Sequence, residues 1–258
     1  MFIDSHCHLN YKGIVEDQQG VLARARAAGV SAFLNISTRA SEWDEVIGLA
    51  EAESDVMASV AIHPHEADIH PDVETKTLVE RAAHPRVIGI GETGLDYYYD
   101  KSDRDRQRAS FRRHIAAARA TGLPLIVHTR EAEADTAAIL SEEIGKGAFT
   151  AVIHCFTGSA DLARSMIALG FSISLSGIVT FKNAGDLRET AHIIPRDRLL
   201  IETDSPFLAP VPHRGKPCEP AFVADTARVL AQELVWDIDD LAATTTRNFF
   251  NLFDKARP

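Results

Sequence analysis

Two histidines separated by one residue, His6 and His8, follow the apolar pair Phe2-Ile3 at the start of the chain. In extended backbone, residues i and i+2 project to the same side, so both imidazoles face one point while Cys7 turns away. Two neutral imidazoles on one face supply half of a metal site. An isolated His-x-His near a terminus is otherwise a pair of surface histidines. Further groups at the ends of other apolar runs argue against that reading: His63 and His65, Glu92 between Gly91 and Gly94, His128, His154, and Asp204 in Glu202-Thr203-Asp204-Ser205-Pro206.

Six of these form a candidate ligand set: His6, His8, Glu92, His128, His154 and Asp204. Six are too many for one tetrahedral ion with an open position. They suit two divalent ions roughly 3.5–4 Å apart that share a carboxylate. Glu92 is the expected bridge, because Gly91 and Gly94 let the backbone come close. His6, His8 and Asp204 are expected around one ion, and His128 and His154 around the other. Such a centre activates water for hydrolysis, with Glu92 and Asp204 as the catalytic acids and Asp204 as general base. His63 and Arg214 are candidates for holding a substrate phosphate, with Lys216 and Arg130 as further cations. The plain alternatives are a loop histidine packed on Pro64, a solvated loop for Arg214, and an ion pair from Arg130 to Glu131 or Glu133. Mixed imidazole and carboxylate ligands leave Mg, Mn and Zn open.

The elements that must position these groups are short apolar runs: Phe2-Ile3, Val30 to Ile36, Val56 to Ile62, Val87 to Ile90, Leu125 to Val127, Ala151 to Ile153, Phe171 to Leu175 and Leu199 to Ile201. They do not alternate with polar residues, as expected of parallel strands buried on both faces. Amphipathic stretches between them end at Gly29, Gly122 and Gly170, the usual helix stop. Eight strands alternating with helices predict an α/β protein, a (β/α)8 TIM barrel forming a single domain across residues 1–258. An open doubly wound sheet is the competing architecture. In a barrel the strand C-termini share one rim, where active sites form. Leu208 to Pro220, with four prolines, is expected to be a long irregular loop.

Composition narrows the function classes. The 258 residues are 45% apolar and 25% charged, ordinary for a globular protein. The net charge of −10 argues against extended, non-specific nucleic-acid binding but not against a pocket that contacts a few phosphates. Three widely spaced cysteines without a CxxC pair, no apolar run long enough for a membrane span and no leader pattern predict a cytoplasmic protein without disulfides or membrane contact. No GxSxG, GxxxxGK[ST] or HExxH motif is present. Arg104, Arg108 and Arg112 recur at helical spacing, and nearby acids favour a solvated outer helix face over a nucleic-acid stripe. Tyr97, Tyr98 and Tyr99 are open between base stacking and packing.

The segments IDSHCHLN (3–10), AIHPH (61–65), GIGETGLDYYY (89–99), PLIVHTREA (124–132), HCFTGS (154–159), SLSGIVTFKNA (174–184) and ETDSPFLAPVPHRGKPCEP (202–220) together resemble the TatD family of metal-dependent deoxyribonucleases. The likeness is strongest to its YcfH-like bacterial branch, within the amidohydrolase-like barrels. The resemblance implies the barrel, a two-metal centre on His6, His8, Glu92, His128, His154 and Asp204, and hydrolysis of DNA phosphodiester bonds, with DNA ends as substrate and no obligate protein partner. Hydrolysis of a phosphomonoester, an amide or an aminoacyl-tRNA ester on the same barrel is the alternative. A non-catalytic protein with a structural metal is a third class.

Overall fold

The computed structural model describes residues 1–256. Eight strands pair in parallel in chain order: β1 (Phe2–Cys7), β2 (Val30–Asn35), β3 (Val56–Val60), β4 (Val87–Asp96), β5 (Leu125–Arg130), β6 (Ala151–Ile153), β7 (Ser172–Leu175) and β8 (Leu199–Ile201). Between them run α1 (Gln18–Ala27), α2 (Trp43–Ala52), α3 (Thr75–Ala82), α4 (Arg104–Thr121), α5 (Glu133–Ile144), α6 (Ala160–Ala168) and α7 (Gly185–Ala191). Two more, α8 (Val223–Leu234) and α9 (Ile238–Leu252), follow β8. This is the expected (β/α)8 barrel rather than an open sheet, because the last strand returns to the first. Beyond β8, the Asp204 amide donates to the His6 carbonyl at 2.9 Å and the His8 amide to the Ser205 carbonyl at 2.8 Å. Thr203 clasps the buried Asp4 across the same seam, with its amide at 2.9 Å and its hydroxyl at 2.6 Å.

The apolar runs pack in two clusters. The larger seats the helices on the outside of the strands. The smaller takes Ile3, Leu34, Met57, Ile88, Ile126, Val152 and Leu200 from seven strands and is closed by Phe249 and Phe253 at the end of the chain. Non-alternating strands follow from this arrangement, since both faces are buried. Gly122 ends α4 in the left-handed conformation, as its position predicted. None of the helices among the described residues is long and apolar enough to cross a membrane.

Strands β1, β4 and β5 extend further than their apolar runs. β4 continues through Glu92 to Asp96, so Glu92 lies within the strand rather than in a loop after it. The physical reason is pairing with β5, which resumes beyond a register shift as Thr93 to Val127, Gly94 to His128, Leu95 to Thr129 and Asp96 to Arg130. The pairing is close enough that a Cβ on Gly94 would fall on the His128 carbonyl, and only glycine fits. His6 and His128 are likewise inside β1 and β5.

Candidate metal centre

The seam between β8 and β1 sets the first half of the site. Its backbone bonds flank His6, His8 and Asp204, so three groups separated by nearly the whole chain meet at one point. Glu92 Oε2 lies 3.4 Å from His6 Nε2 and 3.7 Å from His8 Nε2. Asp204 Oδ1 lies 3.6 and 3.4 Å from the same two nitrogens. Cys7 points away, as expected, with its thiol toward the Leu34 carbonyl.

The second half gathers on the other Glu92 oxygen. Oε1 is 2.7 Å from His154 Nε2, 3.0 Å from His128 Nδ1 and 3.3 Å from His63 Nε2. β5 supplies His128, the turn after β6 supplies His154, and the turn after β3 supplies His63. The structure thus brings together all six residues of the candidate set and adds His63 to them. Arg214 is elsewhere: it is exposed and stacked 3.7 Å from the Phe181 ring centroid, away from the walls of the central cavity.

Hydrogen bonds fix which ring nitrogen each histidine presents. His8 Nδ1 donates to the Ile36 carbonyl at 3.2 Å, leaving Nε2 toward the carboxylates. His154 Nδ1 is 3.2 Å from Glu202 Oε1, which also accepts the Cys155 amide at 2.7 Å. His128 Nε2 is 3.1 Å from Asp96 Oδ2, which leaves Nδ1 toward Glu92. Partners of this kind orient metal-binding imidazoles. His63 differs. Its Nδ1 accepts the His65 amide at 3.0 Å, so its neutral ring carries the proton on Nε2 and offers a donor rather than a lone pair.

Glu202 and Asp96 are supporting acids that spacing along the chain does not mark as such. Both lie within motifs already singled out, two residues before Asp204 and four after Glu92. Their signal was the second carboxylate in each motif. His65 is also joined to Asp96, at 2.9 Å. Arg104 and Arg108 pair with the nearby acids Asp100 and Asp105, as the solvated-face reading expects, whereas Arg112 pairs with Glu142 of α5.

Burial works to raise the Glu92 carboxyl, but the neighbouring histidines, His154 first, overcome it and hold the group well below the usual range. Asp204 is also held down against burial, chiefly by its bond with His8. His63 is pushed down to about 4 by burial, against the pull of Glu92, and is therefore neutral at pH 7. His6 is lowered by burial and by His154 beside it.

This donor set fits divalent cations. Both ring nitrogens of fully buried His6 lack a hydrogen-bond partner, and an ion at Nε2 would satisfy the one that faces the carboxylates. Donor atoms of His6, His8 and Glu92 lie within 4.8 Å of one another, and His128 Nδ1 and His154 Nε2 lie 3.0 and 2.7 Å from the other Glu92 oxygen. Above them opens a cavity of about 660 Å³, walled by Tyr11 and Phe207 among others, with Lys101 and Arg130 also on its lining.

A parallel barrel with this centre at the C-terminal ends of its strands is a metal-dependent hydrolase. The TatD related DNase family matches residues 3–254, and the chain belongs to that family. It is 45% identical over 254 residues to the "Uncharacterized metal-dependent hydrolase YcfH" of Escherichia coli K12, covering 97% of this chain and 95% of that one. It is 36% identical to the "3'-5' ssDNA/RNA exonuclease TatD" of Pantoea vagans, with 97% and 98% covered. The crystal structure of YJJV, a TatD homolog from Escherichia coli K12, superposes with a TM-score of 0.91 at 30% identity over 98% of both chains.

Proposed function

We propose that this protein is a divalent-metal-dependent phosphodiesterase that removes nucleotides from the ends of DNA. One observation carries the proposal: the two oxygens of a single carboxylate, Glu92, face two separate sets of imidazoles at the floor of an open cavity. His6, His8 and Asp204 would hold one ion, His128 and His154 a second, with Glu92 shared between them. Ions held there would supply a water that ionises near neutral pH and positive charge beside the phosphate oxygens. Asp204, ionised and partly exposed to the cavity, accepts the proton of the attacking water. His63 donates from Nε2 to a phosphate oxygen, the role that its tautomer permits. The cavity suits a strand end better than the middle of a duplex, and the exonuclease name of the Pantoea vagans relative supports the same reading.

The test is a short single-stranded oligonucleotide labelled separately at each end. Metal-stripped enzyme is restored with Mg, Mn or Zn, beside a Glu92→Ala control. Stepwise shortening from one end, dependent on metal and absent in the control, is expected. If no metal gives shortening while phosphomonoesters or aminoacyl esters are hydrolysed, the DNA reading is wrong.

A further inference from the structure

One wall of the cavity carries cations that the metal centre does not use. Arg130 lies two residues beyond His128 on β5, so the two side chains project to the same side. The strand rise places Arg130 about 7 Å further out toward the rim. That is comparable to the step from one phosphate to the next along an extended single strand. The guanidinium is held by the rings of Tyr98 and Tyr99, at 4.1 and 4.7 Å from their centroids. Both tyrosine amides donate to Asp96 Oδ1, at 3.0 and 2.9 Å, and Asp96 Oδ2 takes the His128 ring. One carboxylate therefore ties the candidate ligand His128 to the loop that seats Arg130. Lys101 adds a second cation, 5.6 Å from the Tyr99 centroid.

Neither cation is neutralised. The chain has 37 acids against 27 bases, and Arg104, Arg108 and Arg112 of α4 each take a carboxylate partner. Arg130 and Lys101 form no ion pair among the described residues, although Glu131 and Glu133 are close in sequence. Glu133 instead binds Ser159. A guanidinium stacked on aromatic rings keeps its N–H edges free and oriented for a bidentate oxyanion.

We infer that Arg130, with Lys101, is a phosphate subsite for the nucleotide next to the one being removed, so that the preferred substrate is a single-stranded polynucleotide rather than an isolated phosphate ester. This inference rests on the phosphodiesterase reading above. Its test compares a pentanucleotide, which reaches the subsite, with bis(p-nitrophenyl) phosphate, which carries one phosphate and does not. Arg130→Ala raises the ratio of the two KM values, pentanucleotide over bis(p-nitrophenyl) phosphate, by tenfold or more. The slope of log KM for the pentanucleotide against log salt concentration falls by about 0.7, the share of one phosphate on a single strand. Arg130→Lys restores the salt slope but only part of the KM, because the fork is lost. A ratio and slope unchanged by Arg130→Ala and by Lys101→Ala overturn the subsite alone. Wild-type enzyme that hydrolyses bis(p-nitrophenyl) phosphate but leaves the pentanucleotide intact overturns the phosphodiesterase reading on DNA, and the subsite with it.

Discussion

At the scale of single residues, the site separates imidazoles that offer a lone pair from one that offers a proton. His8, His128 and His154 each spend one nitrogen on a carbonyl or carboxylate and turn the other inward. His63 accepts a backbone amide and turns an N–H inward. These histidines looked alike in the sequence, because tautomer is decided by whichever group happens to face the ring. Asp204 is the group whose proposed role is easiest to isolate. Asp204→Asn is expected to lower kcat by at least about 100-fold at full metal occupancy. Turnover and elemental analysis on the same sample check this, and near-normal kcat with both ions retained would remove the general-base role.

At the scale of elements, helices and strands are tied together by buried polar groups as well as by apolar packing. His114 on α4 donates from Nδ1 to the Ser110 carbonyl at 2.7 Å and accepts the Ile62 amide on Nε2 at 2.9 Å. It thereby fixes α4 to the end of the run that carries His63. Burial pushes the His114 pKa down from 6.5 to about 4. The unfolded chain then binds the extra proton first as pH falls. The stabilisation is complete above pH 6.5 and is lost progressively toward pH 4. Between pH 7 and pH 5 this amounts to about 2 kcal/mol. Urea unfolding of wild type and His114→Gln at both values should show the wild type losing about that much more. Equal losses would contradict it. The periodicity of α4 was legible from Phe111, Ile115 and Ala118, but nothing in the spacing marks His114 as a buried tie, since a neutral histidine satisfied at both nitrogens leaves no pattern.

At the scale of the whole molecule, barrel closure concentrates buried acids and imidazoles at one end while the chain as a whole carries a charge of −10. Cations bound only in the folded state would stabilise it by mass action, about 4 kcal/mol when held a thousandfold above their dissociation constant. Chelation is therefore expected to lower the melting temperature by roughly 10 °C. Scanning calorimetry with and without chelator, followed by restoration of Mn or Zn, checks this. A melting temperature indifferent to chelator in protein shown to be metal-free would count against a resident centre. The net negative charge of the chain did not forecast the cationic wall at the cavity. Total charge averages over the surface, whereas Lys101 and Arg130 matter because neither forms an ion pair among the described residues.

The sequence by itself determined the strand-and-helix alternation, the barrel class, and the set of histidines and carboxylates at the rim. Those follow from local chemistry: continuous apolar runs, glycine stops, and side-chain types that bind metal. Tertiary structure decided what spacing along the chain cannot encode. Closure of β8 on β1 puts Asp204 beside His6 and His8. The register of β4 on β5 extends the strand through Glu92 and aims its two oxygens at different clusters. It also decided the roles of Asp96 and Glu202, which orient rings of the site, and set Arg214 apart from the cavity while placing Arg130 on its wall. The physical reason is that ligand types are a property of residues, whereas ligand partners are a property of pairs brought together by long-range packing.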